Sequence, residues 1–313
     1  MKTKKKQIPK EKKLFSNKRL PILVLSLVVV IVSGFLLFRF LVQTPEVEFS
    51  FKAAIIDQIG ETFPSSSESA REFNETVTNL LENAGFNVSY HESKSITVDF
   101  YKGLAKYDYG IIILRGHSAQ RRENEKIIVD FFTSEKWSED EYASEQRDGL
   151  LSRGNYTWES GKFYFAITPK FVDHLEDSFP KSVVIAMGCW SLKPDSEEMA
   201  DAFIEKGAKA YIGWTHMIGM SHSDNSTIRF LQYFLVNNMT ISKAIDECNK
   251  VLDSEGFPGR FSYYPSSAGG YKLSDFTINA VLNTFLFAAQ TRLPSRSKRL
   301  YNFKNRRLIL RSV

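Results

Sequence analysis

A histidine and a cysteine stand at the ends of two similar hydrophobic runs, Gly110-Ile-Ile-Ile-Leu-Arg-Gly-His117-Ser118 and Ser182-Val-Val-Ile-Ala-Met-Gly-Cys189-Trp-Ser191. Each run has the pattern of a parallel-sheet strand buried on both faces, broken at a glycine that is followed at once by a reactive side chain. Active sites of open α/β sheets gather at the carboxyl ends of the strands, and neighbouring strands lie about 4.8 Å apart. If these two strands are neighbours, imidazole and thiol meet. A thiol with an ordinary pKa of about 8.5 is mostly protonated at neutral pH, and an adjacent histidine lowers that pKa or takes the proton as general base. The thiolate can then attack a carbonyl, and the backbone N–H groups of Ser118 and Cys189 are placed to hold the resulting oxyanion. Taken singly, Cys189 would be a core cysteine and His117 a surface histidine. The matched strand ends favour the pair.

With these two motifs the chain resembles the caspase-like (clan CD) cysteine peptidases, whose pattern is a hydrophobic strand ending in His-Gly followed by one ending in Ala-Cys or Ser-Cys. The segment Met199-Ala-Asp-Ala-Phe-Ile-Glu-Lys-Gly-Ala-Lys-Ala-Tyr-Ile-Gly-Trp214 is similar to an element of CHAT and gingipain-type domains, a helix leading through Gly-Ala into a strand. The resemblance covers roughly residues 51–220. It implies a nucleophile at Cys189, a general acid/base at His117 and no metal or organic cofactor. Ser118 stands where the family usually has glycine, and Met187 where metacaspases carry aspartate. Some relatives place a residue of the primary specificity pocket at the end of the first strand, the position of Asp57. An acid there favours a basic residue before the scissile bond, while the competing role is a cap for the following loop. Trp214, Thr215 and His216 are expected to line the substrate site, with Trp214 as a wall. His216 and His222 are spaced i, i+6, which matches no common metal motif.

The elements needed to position these residues alternate between strand and helix. Lys52–Asp57 has a strand pattern, a helix is expected over Glu68–Ala84 with Gly85 as its C-terminal cap, and Phe86–Tyr90 has the pattern of an edge strand. A helix near Val98–Lys106 precedes the histidine strand, and one over Ser196–Lys206 precedes a strand at Ala210–Ile212. The fold class is therefore α/β, a caspase-like doubly wound and mostly parallel sheet with helices on both faces. Between the dyad residues, about 119–181, lies an insertion in which Ile127–Phe132 and Lys162–Thr168 have strand patterns. A β-hairpin with a long tip is expected there, shaping the substrate groove or holding a cleavage loop, with a mobile surface loop as the alternative. Cys248 falls in an amphipathic helical pattern over Ile241–Leu252 and is expected to be a packing residue.

The 313 residues are 43% hydrophobic, enough for one large domain with appendages. Residues 1–43 carry +9 and residues 292–313 carry +8 against a total of +5, which leaves −12 on residues 44–291. The basic balance belongs to the ends, so no nucleic-acid partner is expected. Leu20–Phe38 holds nineteen residues without a charge, about 28 Å of helix, enough to span a bilayer. The expected organisation is a basic cytoplasmic tail (1–19), a transmembrane helix (20–42), a linker (43–50), the α/β domain (51–291) and a basic C-terminal tail (292–313). The positive-inside rule holds the N-terminus in the cytoplasm and puts the rest outside. The sequons at Asn74, Asn87, Asn155, Asn225 and Asn238 agree with a glycosylated external domain. Phe276–Ala289 is short for a span and is expected to be a buried helix, with re-entry into the membrane as the alternative. The basic tail suits anionic lipid or a cell-surface polymer.

The expected function is a membrane-anchored extracytoplasmic cysteine endopeptidase acting on protein or peptide substrates, with cleavage after basic residues. The alternatives are a legumain-like transamidase, or a non-catalytic module binding peptide or glycan in the same cleft.

Overall fold

Side-chain parity along the two hydrophobic runs determines the layering of the molecule. A computed structural model of the chain describes residues 48–60 and 66–276, together with Leu27, Val28, Val30, Ser33 and Gly34. The chain divides into two compact units, Met1–Glu46 and Val47–Val313. In the first unit the five described residues are helical and exposed. Among the described residues no helix is long and apolar enough to cross a membrane. The rest of the expected 20–42 span lies outside the described residues, as do Thr277–Ala289 and the basic C-terminal tail.

The second unit is an α/β fold built on a six-stranded mixed sheet. Its strands are β1 (Lys52–Asp57), β2 (Asn87–Glu92), β3 (Ile111–Arg115), β8 (Val183–Ala186), β9 (Ala210–Trp214) and β10 (Phe261–Tyr264), in the spatial order β10-β9-β8-β3-β1-β2. All neighbours are parallel except β10, which closes the far edge antiparallel to β9. β2 forms the other edge, as its half-polar sequence predicts.

Alternate residues of the central strands feed two cores. Ala53, Ile55, Ile111, Ile113, Val183 and Ile185 face α1 (Ser66–Asn83), α6 (Met220–Leu231) and α7 (Ile241–Ser254). Ala54, Ile56, Ile112, Leu114, Val184 and Ala186 face α2 (Val98–Lys102), α4 (Pro169–Asp173) and α5 (Glu198–Glu205). Helix α1 presents Phe73, Val77 and Leu81 at i, i+4 and i+8, one stripe of a 3.6-residue period. It ends in a Schellman arrangement, with the Phe86 N–H on Leu81 O, the Gly85 N–H on Glu82 O and Gly85 at φ +91°, a conformation that costs glycine little. Thr97, Thr168 and Thr240 cap α2, α4 and α7 through their hydroxyls. Each such cap stabilises its helix by about 1 kcal/mol.

The insertion is larger than the expected hairpin. β4 (Ser118–Glu123), β5 (Lys126–Lys136), β6 (Leu151–Gly154) and β7 (Tyr164–Ile167) form a separate antiparallel sheet in the order β4-β5-β7-β6. The two expected strands do pair, β5 with β7. The segment between them holds α3 (Ala143–Arg147) and then returns as β6 on the free side of β7. Phe131, Leu151, Phe165 and Ile167 of this sheet join the same core as α2, α4 and α5. The insertion is thus packed onto the domain.

The segment expected to be a linker, 43–50, contains a core residue. Phe49 is buried and packs on Phe276 at a centroid distance of 4.8 Å and on Phe86 at 6.0 Å. The domain therefore starts before residue 51.

Candidate active site

β3 and β8 are adjacent and parallel, pairing Ile111 with Val183 and Leu114 with Ala186 at a constant offset of 72 residues. His117 and Cys189 are separated by the same offset. Both strands turn away at Gly116 and Gly188, so the two reactive side chains leave the sheet side by side. They line one cavity of about 300 Å3 together with Ile59, Met187, Met217, Ile218 and Trp158.

The close approach of the strand ends depends on Gly188. A Cβ at that position would lie 2.3 Å from Ser118 Oγ and 2.9 Å from Gly116 O. The Ser118 hydroxyl donates to the carbonyl of Cys189, which links the two strand exits. Directly after the cysteine, Trp190 takes a left-handed φ of +62°, an uncommon conformation for a bulky residue that costs on the order of 1–3 kcal/mol. Trp190 is held there by its N–H bond to His216 O and by contact with the His216 ring, tilted 33° at a centroid distance of 5.1 Å.

The environments of the two cysteines differ. Cys189 is half-buried with its Sγ 3.6 Å from Ile218 O, and Cys248 is buried in the α7 core. No disulfide joins them. Burial pushes the Cys248 thiol up to about 12, which makes it a poor nucleophile. His117 is half-buried against the rings of Tyr156 at 4.8 Å, Trp158 at 5.4 Å and Phe132 at 6.4 Å. Burial lowers its pKa to about 4, so at neutral pH the imidazole is uncharged and able to accept a proton.

The backbone donors expected at an oxyanion hole have suitable surroundings. Ser118 pairs with Phe131 while the Phe132 N–H donates to His117 O; in this antiparallel alternation the Ser118 N–H points away from β5. Trp190, Ser191 and Leu192 donate to His216 O, Gly188 O and Trp214 O, whereas the Cys189 N–H joins none of these turn bonds.

None of the four expected substrate residues is part of the cavity lining. Asp57 is fully buried and does not reach the cavity. Its register partner Arg115 donates to Asp57 Oδ1 through Nη1 at 2.7 Å and grips Asp224 of α6 through Nε and Nη2, both at 2.9 Å. Tyr90 Oη donates to the other Asp57 oxygen at 3.0 Å. Trp214 is a core residue, because β10 covers it: it pairs with Phe261, packs on that ring at 4.8 Å, and donates from Nε1 to Ser223 Oγ at 3.0 Å. His216 is turned onto Trp190, away from the cavity lining, while Thr215 bonds the His216 ring and the Arg260 N–H. His222 lies 3.5 Å from Glu255.

Other residues take these places. Asp224 and Arg115 are part of the cavity lining. With Asp57 beneath them they form a buried group of two carboxylates and one guanidinium, formally −1. Burial raises the Asp224 carboxyl, against the lowering influence of Arg115. Met217, 66% exposed, and Trp158, 51% exposed, stand at the rim. Gln58 is buried behind the histidine; its Oε1 accepts the His117 N–H at 3.0 Å and its Nε2 donates to Tyr156 Oη at 2.9 Å. Sequence signals for these residues are weak: Asp224 sits in a polar stretch, Ser221-His-Ser-Asp-Asn-Ser226, and only the helical period of α6 would have turned it inward.

Neither a protein-family model nor a curated protein matches this chain.

Proposed function

We propose that this protein is a cysteine endopeptidase of the caspase-like kind, with Cys189 as nucleophile and His117 as general acid/base. One observation carries the reading: the two residues end adjacent parallel strands in equivalent register and open into the same cavity. In the proposed reaction the neutral imidazole takes the thiol proton as sulfur attacks the scissile carbonyl. The N–H groups of Ser118 and Cys189 hold the oxyanion, and the imidazolium then protonates the leaving amine. Water repeats the sequence on the thioester.

Cleavage after basic residues is supported by the cavity itself, with Asp224 in place of Asp57 as the recognising acid. Methionine and isoleucine side chains line the walls and suit an aliphatic stem, while the formally negative group at Asp224 suits a terminal cation. The apolar Leu20–Phe38 run supports a single-pass anchor with the domain outside the cytoplasm.

The test is a peptide-library profile of the protein alongside Cys189→Ala, His117→Ala and Cys248→Ala. Either of the first two changes abolishes hydrolysis nearly as completely as both together, since nucleophile and base act as a unit. Cys248→Ala retains it. Asp224→Asn reduces the preference for Lys or Arg more than it reduces turnover after a neutral residue. Hydrolysis that survives Cys189→Ala overturns the proposal.

A further inference from the structure

We propose that Trp158 is the platform for the substrate residue that follows the scissile bond, and that it selects a large apolar or aromatic side chain there. The inference rests on the dyad reading and extends it to the leaving-group side.

The cavity has two unlike walls. The Cys189 sulfur faces the loop carrying Met217 and Ile218, through its 3.6 Å contact with Ile218 O. His117 faces the opposite wall, where Trp158 lies 5.4 Å away, centroid to centroid. In peptide hydrolysis the acyl half remains on sulfur, and the leaving amine must lie within reach of the histidine that protonates it. The residue contributing that amine therefore sits on the His117 side, against Trp158, and the residues before the bond sit on the Met217 side.

The platform is built into the fold. Trp158 stacks on Tyr156 at 4.9 Å with the planes 8° apart, and Tyr156 stacks in turn on Phe132 of β5 at 4.9 Å and 21°. Tyr156 Oη is fixed by Gln58. The chain after Trp158 is pinned by Glu159, which accepts from Tyr164 Oη at 2.8 Å and from Lys162 Nζ at 3.1 Å. Braced from behind and half exposed in front, the indole offers a flat apolar face at a cavity edge. Ring-on-ring or ring-on-aliphatic packing is what such a face favours.

The experiment compares peptides that differ only in the residue after the scissile bond. Phe, Tyr or Leu there is expected to raise kcat/KM about 10-fold over Gly or Ala. Trp158→Ala should flatten that series to within about threefold, and Trp158→Phe should retain most of it. The same site must receive any amine that intercepts the thioester: nitrogen attacks the carbonyl carbon, its proton passes to His117, the carbon–sulfur bond breaks, and the thiolate regains the proton. Phenylalaninamide should thus capture the acyl-enzyme in preference to glycinamide, and less so in Trp158→Ala. A flat series in the unmodified protein, or a full preference surviving Trp158→Ala, overturns this inference alone, provided a peptidyl electrophile ending at its reactive group still labels Cys189. Absence of both cleavage and labelling overturns the dyad reading and this inference with it.

Discussion

His117 is held neutral by its aromatic surroundings, and that sets two pH dependences of known sign. With its pKa lowered to about 4, the imidazole can act as base well below the pH at which an ordinary histidine, near 6.5, is already charged. The acid limb of kcat/KM should therefore fall near pH 4, measured on a neutral peptide; a limb near 6.5 would mean that the ring is solvated in the working enzyme. Stability follows the same linkage. The unfolded chain binds the His117 proton at higher pH than the folded one, so stability should be lost as pH falls from about 6.5 toward 4. His117→Ala should flatten that part of a denaturation-against-pH curve. Gly188 gives a third expectation at this scale. Gly188→Ala forces a Cβ against Ser118 Oγ and the Gly116 carbonyl, and should cost about 1–3 kcal/mol of stability and most of the activity, read by thermal melting and peptide hydrolysis. His117, Cys189 and their glycines were visible in the sequence because unbroken hydrophobic strands make the first polar residue conspicuous. Asp57 was visible for the same reason and misjudged, because a strand end does not reveal that the neighbouring strand holds an arginine in register.

At the scale of elements, the antiparallel sheet does more than extend a loop, since β5 and the segment after β6 supply the Phe132, Tyr156 and Trp158 rings around His117. Gln58, just past β1, joins the two sheets through the His117 N–H and Tyr156 Oη. The same amide also donates to the Thr133 carbonyl at 3.3 Å, so removing it takes a partner from three polar groups, each worth about 1–3 kcal/mol when buried and unsatisfied. Gln58→Leu should lower the denaturation midpoint and also reduce turnover. Gln58→Glu, which keeps an acceptor for the His117 N–H, should recover more turnover than the leucine variant. Equal loss in both would show that the Nε2 contacts to Tyr156 and Thr133, rather than the one to His117, carry the effect. The alternation of strand and helix was legible in the sequence because buried parallel strands and amphipathic helices have distinct periods. β6 was not, since Leu151–Gly154 is four residues with a single buried side chain, Leu151, at its start. β10 was missed for a similar reason, and with it the burial of Trp214.

For the whole molecule, residues from both ends of the described stretch 48–276 meet in one aromatic cluster. Phe49 contacts Phe51, Phe86 and Phe276, so residues before the first strand and after the last are part of the same core. Sequence patterns placed the domain start at residue 51, because a lone Phe between Glu48 and Ser50 has no periodicity to mark it as buried. The consequence can be measured by truncation. A protein starting at residue 45 keeps Phe49, and should fold, label at Cys189 with a peptidyl electrophile, and remain in the aqueous phase if the proposed anchor lies in the segment removed. A protein starting at residue 51 loses Phe49, and should be less stable by about 3–5 kcal/mol, the usual cost of deleting a buried phenylalanine. Phe49→Ala in the longer protein should reproduce that loss by itself. If instead the two truncations melt together, Phe49 contributes nothing to the core and the domain does begin at the first strand.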